Sequence, residues 1–269
     1  MNLSKPIAFL KKDFIEQASY KFNFISQFIG ILFSTILFYF VSKLVGEAAS
    51  PYLTPYGGDY FSFVLIGIAF SSYLSLSLSS FSGAIQGAQS MGTMEALLST
   101  QTEIPTIILC SSLYSFILTS FRVVLYLLLG AFVFGVKMSI QGVPTALFIL
   151  ILTIISFSSL GIISASFIMV LKRGDPFMWL FTSLSWFLGG VYYPIDVLPV
   201  WLKRFSYFLP ITYAMEGMRL ALLRNYSLYQ LKFNVLALIG FSVIMLPLSI
   251  YIFVFAVKKA KRDGSLTHY

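Results

Sequence analysis

Residues Pro144–Leu171 read PTALFILILTIISFSSLGIISASFIMVL, 28 consecutive positions without Asp, Glu, Lys, Arg or His. As a helix, this run rises about 42 Å. The hydrocarbon core of a bilayer is crossed by about 20 apolar residues of helix, so the run reads as a membrane span. The whole chain supports that reading. Of its 269 residues, 58% are hydrophobic and 10% charged, with a mean hydropathy of +0.88. A soluble domain carries about 25% charged residues, and one of this size has too few charges here to cover its surface.

Working outward from that run, five more stretches of comparable character appear: Phe22–Val45, Phe61–Ile85, Pro105–Phe134, Pro176–Tyr192 and Asn234–Val257. The Pro176–Tyr192 stretch is short and runs into Gly189-Gly190, which marks a broken or re-entrant span. The expected fold is an all-α membrane protein with six transmembrane helices in a single domain, 1–269. An interfacial helix occupies 1–21, a polar helix-compatible connection 86–104, and an outer segment with short re-entrant helices 193–233. That last segment is rich in Pro, Tyr and Leu, too apolar for a loop in open water.

The first 21 residues hold Asp13, Glu16 and four lysines ahead of any long apolar run. They read as no secretory leader, so the first span is expected to be a retained anchor. Leu3, Ile7, Leu10, Phe14 and Ala18 recur at helical spacing, with Ser4 as N-cap and Pro6 in the first turn. Such a helix would lie in the headgroup plane; the plainer reading is an unstructured basic tail.

The net charge of +8 is spread over the ends of the apolar runs and forms no patch for nucleic acid. With six spans both termini share one side. That side holds Lys5, Lys11, Lys12, Lys21, Lys172, Arg173, Lys258, Lys259, Lys261 and Arg262, ten bases; the other holds Lys43, Lys137, Lys203, Arg204, Arg219, Arg224 and Lys232, seven. The bias places both termini in the cytoplasm.

Covalent chemistry finds little material. The single histidine is His268 in the tail, and the single cysteine, Cys110, lies in an apolar run. That is too few ligands for a His/Cys metal site and leaves no histidine at depth for a catalytic triad. No glycine is followed by lysine, so no phosphate-cradling loop exists. The reading is therefore no enzyme, no metal and no cofactor in this chain.

Polar residues inside the spans are the remaining candidates. Ser72, Ser75, Ser79 and Ser82 fall on one face of the second span, continued by Gln86 and Gln89; Ser112, Ser115, Thr119, Arg122 and Tyr126 form a stripe on the third. Hydroxyls in hydrocarbon need partners, and both a substrate path and helix–helix packing use such residues. Arg122 should face protein or water. Counting from Pro105 puts it about 25 Å along its helix, in the outer half of the bilayer, with Glu216 as the favoured acidic partner; a structural ion pair or snorkelling to the surface is the plainer role.

Three segments carry a family resemblance. Gly92-Thr93-Met94-Glu95-Ala96-Leu97-Leu98, followed by Pro105, resembles the G-T-[LM]-E-x-L-L…P segment of ABC-2 type transporter permeases. Gly189-Gly190-Val191-Tyr192-Tyr193-Pro194-Ile195-Asp196-Val197-Leu198-Pro199-Val200-Trp201-Leu202 resembles their G-x-x-[FY]-P-x-x-x-L-P-x-W-L segment, and Pro210-Ile211-Thr212-Tyr213-Ala214 with Arg219 their P-x-x-Y-x-x-x-x-x-R ending. The three stand in the family's order relative to the spans, nearest its drug- and oligosaccharide-exporter branch.

The resemblance implies the permease subunit of an ATP-driven ABC exporter in a prokaryotic cytoplasmic membrane. It implies a second permease copy or paralogue, surrounding membrane lipid, and separate ATPase subunits that hold the ATP and Mg. Residues 92–98 would be the coupling helix seated on the ATPase, although this segment lacks Lys and Arg, so contact would rest on Glu95 and apolar packing. Without a partner, the same segment reads as a loop helix packed on its own spans. Gly189, Gly190, Pro194, Pro199, Trp201, Pro210, Glu216 and Arg219 would belong to the outer re-entrant segment. The competing class is an ATP-independent transporter, channel or assembly protein; a secondary transporter keeps titratable groups at mid-membrane, and apart from Arg122 the spans carry none.

Overall fold

The computed structural model describes residues 10–11, 14–15, 21–90, 104–171 and 176–262. Every regular element among them is helical. In chain order these are α1 (Lys21–Leu53), α2 (Tyr60–Ser90), α3 (Ile104–Phe132), α4 (Val143–Leu171), α5 (Pro176–Leu188), α6 (Val200–Ser206), α7 (Pro210–Arg224) and α8 (Lys232–Arg262), with 3-10 turns at Thr54–Tyr56, Ile140–Gly142 and Ile195–Val197.

Among the described residues five segments are long and apolar enough to cross a membrane: Ile25–Tyr56, Tyr60–Gly83, Leu113–Phe132, Ile140–Val170 and Lys232–Lys259. The stretch expected as the fifth span forms a helix of 13 residues, α5, about 20 Å long. It stops before Gly189 and Gly190, and Gly190 takes φ 71°, a left-handed conformation in which a side chain is strained. The expected helices within 193–233 are α6 and α7. Of the expected interfacial helix, Leu10, Lys11, Phe14 and Ile15 are helical and the rest lies outside the described residues; so do residues 91–103, which include Gly92 to Leu98.

Helices α2 and α4 form the centre. Phe63, Leu65, Ile66, Leu74 and Leu78 of α2 and Ile149 and Phe157 of α4 are almost fully buried, whereas α1, α3 and α8 turn wide apolar faces outward, such as Phe33 and Phe40, Ile117 and Phe121, and Val243 and Tyr251. In hydrocarbon an outward apolar face costs nothing, so burial marks the interior while hydropathy does not. Thr153, Ser156, Ser159, Ser164 and Ser166 line the buried α4. The Thr153 and Ser156 hydroxyls donate one turn back along the helix to the carbonyls of Ile149 and Leu152, and Ser156 also shares a hydrogen bond of 2.8 Å with Ser242 of α8.

One end of the bundle, here the loop end, gathers the connections 54–59, 133–142 and 189–231. The opposite, terminal end carries the first residue of α1, the last of α2, the first of α3 and α5, and the last of α4 and α8. At the loop end Asp59 caps α2, accepting from the backbone N–H of Phe61 (3.3 Å) and Ser62 (2.9 Å), an N-terminal placement that also suits the helix dipole.

Candidate functional site

The most elaborate polar construction lies at the loop end and is organised by α7. Pro210 at its first position and Asn225 in the left-handed conformation (φ 56°) fix its limits. Although too short and too polar to rank among the spans, α7 buries eleven of its 15 residues, from Pro210 to Leu222. Protein covers it on most sides, which explains an apolar sequence in what reads as a connection.

Arg219 is 2% exposed. Its Nε donates to the carbonyl of Phe63 on α2 (3.0 Å), Nη1 to that of Gly190 (2.7 Å) and Nη2 to that of Val191 (2.7 Å). The last two carbonyls follow the final turn of α5, where a helix leaves acceptors unpaired and a partial negative charge. The guanidinium also stacks on Phe63, 3.4 Å from the ring centroid. Burial lowers its pKa to about 9 against the opposing pull of nearby Tyr56 and Glu216, so the group is cationic at neutral pH. Among the described residues no carboxylate bonds it; three carbonyls and a ring hold it.

The approach is tight enough to demand glycine at position 67. A Cβ there would lie 2.3 Å from the Val191 carbonyl oxygen and 2.4 Å from Arg219 Nη2. Gly67 is seven residues into α2, so the turn after α5 sits about 10 Å down that helix from its first residue.

Further hydrogen bonds tie α7 to α8, to α6 and to the loop-end turns. Asn234 of α8 donates to Glu216 Oε2 (3.0 Å) and the Tyr213 carbonyl (3.2 Å). Arg224 donates to the carbonyls of Pro55 (3.1 Å) and Thr54 (2.6 Å), the Ser139 N–H to that of Leu222 (2.7 Å), and Thr212 to that of Ser206 (2.7 Å). A cavity of about 10 Å³ remains among Tyr56, Gly190, Pro194, Thr212, Glu216 and Arg219, on the order of a single water.

Three sequence segments thus close into one knot. Pro210 sets the start of α7, while Gly189, Gly190, Pro194, Glu216 and Arg219 are brought together in the knot. Pro199 and Trp201 are not: Pro199 begins α6, and Trp201 is 63% exposed on it. Near them the Lys203 ammonium pairs with Asp196, which raises the lysine's pKa. Sequence reasoning missed Phe63, Gly67, Tyr56 and Asn234. Phe63 and Gly67 sit inside an apolar run, and what Phe63 contributes is mostly a backbone carbonyl.

The chain belongs to the ABC-2 type transporter family. The family's sequence model matches residues 7–223, from before α1 to the last turn of α7, so Arg219 and its partners Phe63, Gly190 and Val191 fall within it, while Arg224 and Asn234 lie beyond. No curated protein sequence matches the chain. Membership of the ABC-2 type transporter family, together with five helices of membrane-crossing length, makes this an integral membrane protein and the permease of an ABC transporter.

In this ABC-2 permease the serine stripes mostly bond their own helix. Ser72 donates to Ile68 (3.4 Å) and Ser79 to Ser75 (2.8 Å). Ser82 donates to Ser79 (3.2 Å) and approaches Met178 Sδ of α5 at 3.8 Å. On α3, Thr119 is 4% exposed and Ser115 half-buried; the side chain of Ser112 lies outside the described residues. Bonds between helices come from Tyr73 beside the first stripe, which donates to Ser120 (2.5 Å) and joins α2 to α3, and from Tyr126 of the second, which shares one of 2.9 Å with Ser34 and joins α1 to α3.

Arg122 corrects the sequence reading in one respect. It does not meet Glu216, which accepts from Asn234 instead. It stands about 27 Å along α3 from Ile104 and about 15 Å from Phe132. It is half-buried against Gln27, Phe28 and Ile31 of α1, and its Nε is buried without a partner among the described residues.

Proposed function

We propose that this permease is the membrane subunit of an ATP-driven exporter. The family match carries the reading, and the architecture supports the finer parts. Residues 92–98, the proposed coupling helix, are bracketed by the end of α2 at Ser90 and the start of α3 at Ile104, both at the terminal end. An ATPase bound at Glu95, holding ATP and Mg, would pull on these two helices together. The terminal end with both chain termini is cytoplasmic in this proposal, α5 with the chain that returns through α6 and α7 is the sixth, re-entrant passage, and a second permease copy or paralogue completes the membrane unit.

The proposed path runs along the contact of α2 with α5. Ser77 and Ser80 on α2 and Thr182 and Ser185 on α5 carry buried hydroxyls without a partner among the described residues. In a membrane such groups need water or a passing polar molecule. The stripe Ser72, Ser75, Ser79 and Ser82 occupies the same helix, and Ser82 meets α5 through Met178. During a cycle, ATP-driven closure of the partner would shift the terminal ends of α2 and α3, while the Arg219 knot keeps the loop ends of α2, α5 and α7 moving as one body.

The test is co-purification with candidate ATPases and ATP-dependent efflux from cells or proteoliposomes. Wild type should bind an ATPase and export substrate, and Glu95→Arg should keep membrane insertion but uncouple hydrolysis from transport. Normal coupled transport by Glu95→Arg would refute the docking assignment. Export by the chain without any ATPase would refute the class.

A further inference from the structure

Between α2, α3 and α4 lies a groove of about 430 Å³. Phe70 and Tyr73, Phe116 and Val124, and Leu147 and Leu150 form its walls, one pair from each helix. Its polar atoms are spent: the Tyr73 hydroxyl donates to Ser120, and Ser120 donates to the Phe116 carbonyl (2.8 Å). The remaining surface is hydrocarbon and offers nothing to a polar substrate. Val124 and Leu147 are 49% and 52% exposed, so the groove opens sideways, toward the lipid, rather than into the bundle.

Its shape is long and narrow. On α3 the lining runs from Leu113 to Leu127 and on α4 from Val143 to Ile154, about 21 Å and about 16 Å of helix. A volume of 430 Å³ over such a length gives a slot with the girth of a single hydrocarbon chain. A transmembrane helix, about 10 Å across, does not fit such a slot, so a second copy of this chain could cover the groove but not fill it. Apolar cavities of this kind stay dry and take up hydrocarbon.

The loop end of the slot supplies a charge. Leu222 and Val143 line it there, and the Leu222 carbonyl accepts from the Ser139 N–H at 2.7 Å. Two residues before Ser139, in the connection that joins the two walls, stands Lys137, exposed and without an ion pair or hydrogen bond among the described residues. A free ammonium at the membrane-surface end of an acyl-sized slot matches a phosphodiester whose tail runs down the slot.

We infer that this groove is a binding site for one phospholipid, with an acyl chain between α3 and α4 and its phosphate at Lys137. The site is separate from the proposed α2–α5 path and does not depend on what is transported.

Native mass spectrometry of the permease purified from membranes in mild detergent tests it. Wild type should retain one phospholipid per chain through washing that strips bulk lipid. Val124→Trp/Leu147→Trp, which fills the slot from two exposed positions, should cut retention at least about fivefold. Val243→Trp/Ile244→Trp, at still more exposed positions on α8, should leave it unchanged. Lys137→Glu, in an exposed connection, should also reduce it while leaving the slot open. Wild-type retention in the slot-filling variant overturns the site, and wild-type retention in Lys137→Glu overturns its headgroup end. A disulfide between two copies through Leu147→Cys in native membranes overturns the site in favour of a permease–permease interface.

Discussion

Arg219 and Arg122 are the same residue type, each removed from water, and they stand in opposite conditions. Arg219 is buried with Nε, Nη1 and Nη2 each bonded to a carbonyl and its flat face on Phe63. Arg122, on α3, is half-buried with an Nε that has no partner among the described residues. The first charge is consumed by the protein. The second has an Nε that no described residue satisfies, open to water, substrate or another chain. Stability should therefore depend on Arg219 and transport on Arg122.

The largest effect should come from Arg219→Met. It removes three charge-assisted hydrogen bonds and strands the carbonyls of Gly190 and Val191, a loss of roughly 3–5 kcal/mol by analogy with broken buried charge networks. Thermal unfolding in detergent and the yield of folded permease would read it. Arg219→Lys should recover only part, since one ammonium cannot reproduce the fork that reaches α2 and the end of α5 together.

Gly67→Ala tests the same knot without touching charge. The added methyl would press on the Val191 carbonyl and on Arg219 Nη2, and overpacking of that kind costs about 1–3 kcal/mol. An unchanged midpoint would mean that α2 and the turn after α5 are not held as closely as described.

Next comes the cycle of Arg122→Ala with Glu216→Ala. These residues belong to different networks, so the two effects should add within about 0.5 kcal/mol. A larger coupling measured by unfolding would put them back together and erase the contrast. The smallest effect is expected on the surface, where Lys203→Ala removes the exposed pair with Asp196. It should shift the midpoint by less than 1 °C or so, less still at high salt, because exposed ion pairs contribute about 0–1 kcal/mol.

Much of this contrast was not legible in the sequence, for identifiable reasons. Runs such as Pro144–Leu171 announced their spans by length alone, and Gly189-Gly190 announced the end of α5. The turn residues and prolines around α7 likewise marked a folded segment. The acceptors for Arg219 are backbone carbonyls, which every residue possesses, so no side-chain pattern points to Phe63, Gly190 and Val191. Gly67 reads as one more small residue in an apolar run until Val191 is seen against it. Arg122 was given the wrong partner because Glu216 meets Asn234, a contact between α7 and α8 that only the fold brings about. The buried serines of α4 escaped notice because they sit in the most apolar run, where Ser156 finds Ser242 only through the fold.

The most direct measurement is a paired one, on the same purified preparation, of unfolding midpoint and ATP-dependent transport for Arg219→Met and Arg122→Met. The account predicts a midpoint lowered by many degrees in Arg219→Met. It predicts a near wild-type midpoint, within about 1 kcal/mol of stability, with impaired transport in Arg122→Met. A stable, active Arg219→Met alongside an unfolded Arg122→Met would contradict it.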